Sequence, residues 1–232
     1  MITVRKSDER GKTKIDWLDS RHSFSFGDYY DPAFESFGPL RVINEDWIAG
    51  GAGFPPHPHR DMEIVTYVIE GALSHKDSTG GGGTIRSGMI QRMSAGLGIV
   101  HAEFNALSDK PCHLLQIWIM PSKRGIAPSY EEKTIDEAAV RNHFSRIAGP
   151  EPQANEVRLV QDAEIWAAKL DGDVEAIHAL NQGRKAWLQV AKGEVSVDGE
   201  TLKAGDAAAI TDQDKIAVRS KTQAELLLFD LA

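Results

Sequence analysis

The feature that most constrains this chain is a weak internal repeat punctuated by glycines. Tyr67–Gly96 reads YVIEGALSHKD…TIRSGMIQRMSAG, and Gln189–Ile210 reads QVAKGEVSVDG…TLKAGDAAAI. Each passes through strand, glycine turn, strand, loop, strand and glycine, with Gly71 matching Gly193 and Gly88 matching Gly205. A unit that closes an antiparallel sheet and occurs twice predicts an all-β protein of two antiparallel, jelly-roll-like barrels side by side. The competing reading is one meander sandwich whose glycine turns coincide by chance, since such turns are common in all-β chains. A length of 232 residues suits one large β domain or two modest ones. The repeat selects two.

The rest of the chain agrees. Glu63–Glu70, His113–Met120, Glu164–Leu170, Ala186–Ala191 and Glu225–Leu231 are short, rich in β-branched, Leu and aromatic residues, and bounded by turn formers. Helical periodicity is confined to Asp136–Val140, where Asp136 can cap a turn or two. The proline-bearing stretch Ser122–Pro152 reads as the connection. The expected division is a first barrel over 1–130, a connector over 131–155 and a second barrel over 156–232. Gly80–Gly83 reads as a mobile hairpin tip; no Lys-Ser/Thr pair follows it, so it is not a phosphate loop. The aromatic run from Phe24 to Phe37 and the five tryptophans read as core and edge packing, with a second reading in which some of these rings line a pocket for a flat ligand.

Charge narrows the function classes. With 26 Lys+Arg against 34 Asp+Glu and no basic run, the chain lacks the phosphate-neutralising patch that direct nucleic-acid binding needs. No apolar run approaches the roughly 20 residues that span a bilayer. The polar opening MITVRKSDERGKTK lacks a signal-peptide core, and a cytoplasmic location is expected. A single cysteine, Cys112, beside eight histidines means that any metal site is built from nitrogen and oxygen ligands.

Two segments carry that chemistry. GAGFPPHPHRDME holds His57 and His59; GMIQRMSAGLGIVHAEFN holds His101 and Glu103. Spacing of i, i+2 puts both members of each pair on one face of a strand. Four inward-pointing groups on neighbouring strands then converge inside a barrel, and three imidazoles with one carboxylate suit a divalent first-row metal. The remaining histidines, His22, His75, His113, His143 and His178, read as surface or core residues. The repeat in the second half, Ala186–Ile210, contains no histidine, so that barrel reads as metal-free.

The pattern G-x5-H-x-H-x3-E at Gly51–Glu63, followed by G-x5-S-A-G…H-x3-N at Gly88–Asn105, resembles the two cupin motifs. More narrowly, HSFSFGDYYDP, HPHRDMEIVTYVIEG and MSAGLGIVHAEFN resemble the pirin family, densely over the first ~120 residues and less so beyond. Ser94 stands where the general cupin motif has proline, which resembles the pirin version. The resemblance implies a bicupin with the metal in the first barrel. It implies His57, His59, His101 and Glu103 as ligands, Glu63 as structural, and iron(II) as the usual ion, with Mn, Co, Ni, Cu and Zn as alternatives.

It also implies a function: O2-dependent cleavage of flavonol-type substrates with release of CO, as in quercetin 2,3-dioxygenases. Glu103 would serve as base for the substrate hydroxyl, and the partners would be a small aromatic substrate and O2. The alternative is a metal-bearing regulatory module that answers redox or iron status through a protein partner. A cupin sugar isomerase is weaker, because only Arg60 and Arg92 stand near the motifs to bind a phosphosugar.

Overall fold

All five apolar segments named above are strands in the computed structural model, which describes residues 1–232: Glu63–Glu70, Cys112–Ile119, Ala163–Asp171, Lys185–Lys192 and Gln223–Leu231. Their apolar runs are nearly continuous because both faces are buried, one inside a barrel and the other against the neighbouring barrel. The single helical turn, Glu137–Val140, is capped as expected, the Asp136 carboxylate accepting from the Ala138 and Ala139 amides at 2.9 and 3.3 Å.

Each barrel is a seven-stranded sheet covered by a four-stranded one. In the first, the order across the large sheet is Ser129–Thr134, Met89–Ser94, Glu63–Glu70, Cys112–Ile119, Leu40–Ile48, Leu18–His22 and Gly11–Lys14. Its covering sheet runs Gly53–His59, Ile99–Asn105, Ala72–Asp77 and Gly82–Arg86. The second barrel repeats this order with Ala207–Ile210, Lys185–Lys192, Gln223–Leu231 and Ala163–Asp171 in the large sheet. Its covering sheet runs Val174–Ala179, Lys215–Ser220, Glu194–Val197 and Glu200–Lys203. The paired glycines occupy the same turns: Gly71 and Gly193 have φ of 85° and 82°, Gly88 and Gly205 of 84° and 86°. That left-handed region is open to glycine and costly for most other residues.

Two expectations are corrected. The connector is not a linker: Ser129–Thr134 is an edge strand of the first barrel, and Ser145–Gly149 belongs to the second. The N-terminal strand Ile2–Arg5 also lies in the second barrel, paired at its edge with Ala207–Ile210, so the first and last strands belong to the same sheet. Nor is Gly80–Gly83 a mobile tip. Gly82 and Gly83 are in a strand, and the Asp77 carboxylate holds the turn by accepting from the Thr79 and Gly81 amides at 2.8 and 3.1 Å.

The largest apolar core lies between the two seven-stranded sheets, where Leu40, Ile43, Val65, Leu115 and Ile117 meet Ile165, Trp187, Leu227 and Phe229. A second core fills the interior of the second barrel. Inside the first barrel the apolar residues split into two small clusters, one around Val68, Leu73, Ile85 and Leu114, the other around Ile64, Met93 and Ile99. The space between them is polar.

Candidate metal centre

The polar space is a cavity of about 400 Å³ lined by His57, His59, His101 and Glu103 together with Phe26, Phe54, Ile64, Trp118, His22, Asn44, Asp46 and Gln116. Its histidine wall is the covering sheet. Gly53–His59 is the edge strand of that sheet, which tolerates Pro55, Pro56 and Pro58 because one side of it has no partner strand. His57 pairs directly with His101, and His59 with Ile99. Beyond them a bulge sets Pro55 and Pro56 opposite Ala102 alone, so that Glu103 faces Phe54. Period-two alternation turns His57 and His59 inward from one strand, and His101 and Glu103 inward from the next.

The four residues converge unequally. Ring nitrogens of His57, His59 and His101 all lie within 4.8 Å of one another. Glu103 joins a second cluster of the same span with His101 and His75, all three buried. His101 is thus shared by both clusters. The His57 Nδ1–H donates to the Pro55 carbonyl at 2.8 Å, which leaves Nε2 as a free lone pair. Burial and the neighbouring His57 hold His59 down to about 4; burial, with His57, His59 and His75 beside it, holds His101 down to about 3. At neutral pH both are uncharged and able to act as ligands.

Glu103 is in the opposite position. It is 2% exposed, and burial, followed by the charge of Asp46, pushes it up to about 8. Its Oε2 accepts from the Gln116 amide at 2.8 Å, and Gln116 in turn accepts from the Thr66 hydroxyl at 3.0 Å. The other oxygen, Oε1, and His101 Nε2 are both buried with no hydrogen-bond partner. Orphaned acceptors of this kind are rare in folded proteins. A carboxylate oxygen and an imidazole lone pair facing one cavity, with no donor for either, are what a cation would satisfy.

Sequence reasoning passed over several residues that line or support this cavity. Glu63 is not one of them: named from the motif and expected to be structural, it is buried but turned away, accepting from the Val160 amide at 3.1 Å, and belongs to neither cluster. His22, read as surface or core, is buried on the cavity wall, its ring between Asn44 at 2.7 Å and Thr13 at 2.9 Å. Asp46 is 3% exposed and bonded by the Ser20 hydroxyl at 2.5 Å, and burial pushes it up to about 7. His75 and Asp77 form a further inward i, i+2 pair on the strand beside Ile99–Asn105. Their spacing was the available signal. It is the same local pattern that marked His57 and His59.

Comparison with known proteins matches this architecture at both ends of the chain. A family profile described as Pirin matches residues 3–119, and one described as the quercetinase C-terminal cupin domain matches residues 146–231. The chain belongs to the pirin family. Over 231 residues this pirin is 43% identical to the quercetin 2,3-dioxygenase of Escherichia coli K12, covering 100% of this chain and 99% of that one. It is 41% identical over 233 residues to a pirin-like protein of Caulobacter vibrioides, covering both chains fully. Among solved structures, it superposes on the Escherichia coli pirin YhhW in complex with nickel(II) at a TM-score of 0.94. Identity there is 42%, over 100% of this chain and 99% of that one. The pirin fold described here is a bicupin, and its first barrel carries the clustered histidines.

Proposed function

We propose that this pirin is a metal-dependent dioxygenase of quercetin-type flavonols, with His57, His59, His101 and Glu103 as the ligands of iron(II) or another divalent first-row ion. The observation that carries the metal reading is the pair of buried, partnerless atoms, His101 Nε2 and Glu103 Oε1, on residues that line one cavity with His57 and His59. The substrate class comes from the full-length likeness to a quercetin 2,3-dioxygenase.

The bound ion would supply Lewis acidity, lowering the pKa of a substrate hydroxyl placed against it. The protein's own groups supply the rest. Glu103, buried in the cavity wall, receives the hydroxyl proton as general base. Gln116, anchored by Thr66, fixes the carboxylate while it does so. Phe26, Phe54 and Trp118 give the cavity aromatic walls for a flat ring, and Trp118 stands edge-on to His59 at 5.0 Å between centroids. Ser20, Asn44, Asp46 and His22, on the same large sheet as Trp118, offer polar partners to the hydroxyls of such a ring. A cavity of about 400 Å³ suits a small aromatic ligand.

The test is O2 consumption and CO release on quercetin by protein loaded in turn with Fe, Mn, Co, Ni and Cu. The expected result is one O2 taken up and one CO released per flavonol by at least one metal form, and neither by Glu103→Gln. Fully loaded protein that consumes no O2 with any flavonol removes the dioxygenase reading and leaves the regulatory one.

A further inference from the structure

Beside the proposed ligands lies a hydrogen-bonded chain whose direction can be deduced. The Asp77 carboxylate, already accepting from Thr79 and Gly81, also contacts His75 Nε2 at 3.1 Å. A carboxylate only accepts, so His75 Nε2 carries the hydrogen. At the other side of the ring, the Gln91 side-chain amide faces His75 Nδ1 at 3.4 Å. A neutral imidazole carries one ring N–H, and that of His75 is on Nε2 toward Asp77, so His75 Nδ1 is a bare acceptor. That same nitrogen lies 3.3 Å from His101 Nδ1. Two lone pairs do not bond. His101 Nδ1 therefore carries a hydrogen and donates it to His75, which leaves the lone pair of His101 on Nε2, the buried atom with no partner.

We propose that His75, held by Asp77, is a positioning residue that fixes the tautomer and ring orientation of His101 and so presents His101 Nε2 to the metal. This rests on the metal reading above. It extends a common arrangement, in which a ligating histidine donates its second N–H to a carboxylate, by interposing one imidazole. It also separates the two overlapping clusters: both ring nitrogens of His75 are occupied by Asp77, Gln91 and His101, so His75 supports the site and does not ligate. The second barrel supplies an independent observation. Val197 stands at the matching place, paired with Val218 as His75 is paired with Glu103. Where the ligands are missing, the supporting histidine is missing too.

The first measurement needs no variant and no metal. Long-range ¹H–¹⁵N spectra of the metal-free protein are expected to show His101 protonated at Nδ1 and His75 at Nε2. A His101 protonated at Nε2 overturns the proposal. The second measurement is nickel(II) affinity by competition with a chelator. His75→Phe is expected to lose about 10–100-fold, and His75→Gln, whose amide oxygen can accept from His101, to recover most of that loss. Wild-type affinity in folded His75→Phe, or one imidazole fewer around nickel in its X-ray absorption spectrum, would each overturn it. If the wild-type protein fails to bind nickel or any other divalent ion, the metal reading fails, while the tautomer result stands by itself.

Discussion

Where the first barrel carries His101, the second carries Ile216. The covering sheets align strand for strand, and their registers identify the matching residues. His178 pairs with Ile216 as His57 pairs with His101. Val197 pairs with Val218 as His75 pairs with Glu103. In the large sheets, Leu188 pairs with Leu228 as Thr66 pairs with Gln116. Thus the carboxylate Glu103 and the two side chains that hold it, Gln116 and Thr66, are replaced together by Val218, Leu228 and Leu188, all buried in one apolar core. Only His178 keeps its type, and the protein uses it internally: its Nε2 contacts Asp230 at 2.9 Å, and Arg184 bonds the same carboxylate. The two barrels solve the same packing problem in opposite ways. The second fills its interior with hydrocarbon and holds its buried acid, Asp230, with Arg184 and His178. The first leaves a cavity and two buried acids, Asp46 and Glu103, pushed above the ordinary carboxylate range. Buried polar groups without partners are destabilising, so the large core between the barrels and the filled second barrel carry a greater share of the stability.

The sharpest way to break this comparison is to remove matching histidines. His57→Ala is expected to reduce nickel(II) affinity by at least about 100-fold, beyond what supporting residues cost, and to abolish turnover. His178→Ala, at the matching register, is expected to leave metal content and activity unchanged while lowering the melting temperature, because it strips Asp230 of a partner. Metal loss in His178→Ala would contradict the division of roles.

A smaller effect separates the glycines. A side chain at Gly53 would strike the Glu103 carbonyl and the Phe104 backbone across the His57–His101 pairing; one at Gly193 would strike the Gln223 carbonyl, with φ of 82° adding strain. Each alanine variant is expected to cost about 1–3 kcal/mol in urea unfolding. Gly53→Ala should also weaken metal binding; Gly193→Ala should not. Equal metal affinities would show that the sheet register around His57 is not what aligns the site.

The smallest effects are pH slopes of opposite sign. Asp46 is raised by burial from 3.8 to about 7, so its contribution is complete below about pH 4 and is lost as pH rises through 7. Asp230 is shifted the other way: burial raises it, but the hydrogen bonds from His178 and Arg184 outweigh burial and hold it below 3.8. Its contribution is present above pH 3.8 and is lost as pH falls through the lower folded value. Denaturation midpoints of Asp46→Asn should fall less between pH 4 and 7 than those of the wild type, and Asp230→Asn should lose its acid sensitivity. Slopes of the same sign for both would refute the contrast.

Much of this molecule was legible in its residues, for reasons that are local. Strand alternation is a property of consecutive residues, so His57 with His59, and His101 with Glu103, could be placed on shared faces before any pairing was known. Gly71, Gly88, Gly193 and Gly205 mark turns because their φ values are open to glycine and unfavourable for other residues. Asp136 announces its helical turn because the cap is made within three residues. From these came the all-β class, the two repeats and the convergence of four polar side chains on one interior.

What the tertiary structure alone decided depends on contacts between residues distant in sequence. Ala72–Asp77 lies beside Ile99–Asn105, and only that pairing carries His75 to His101 and gives the Asp77 pair its meaning. Leu40–Ile48 pairs with the central strand Cys112–Ile119, and Leu18–His22 pairs with Leu40–Ile48, which is why Ser20, His22, Asn44 and Asp46 face the cavity and not the solvent. Ile2–Arg5 crosses to the second barrel because an unpaired edge at Ala207–Ile210 was there to accept it. Periodicity says which face a side chain shares. Which strand stands opposite that face is settled by burial and hydrogen bonding across the whole chain, and these carry no local signature.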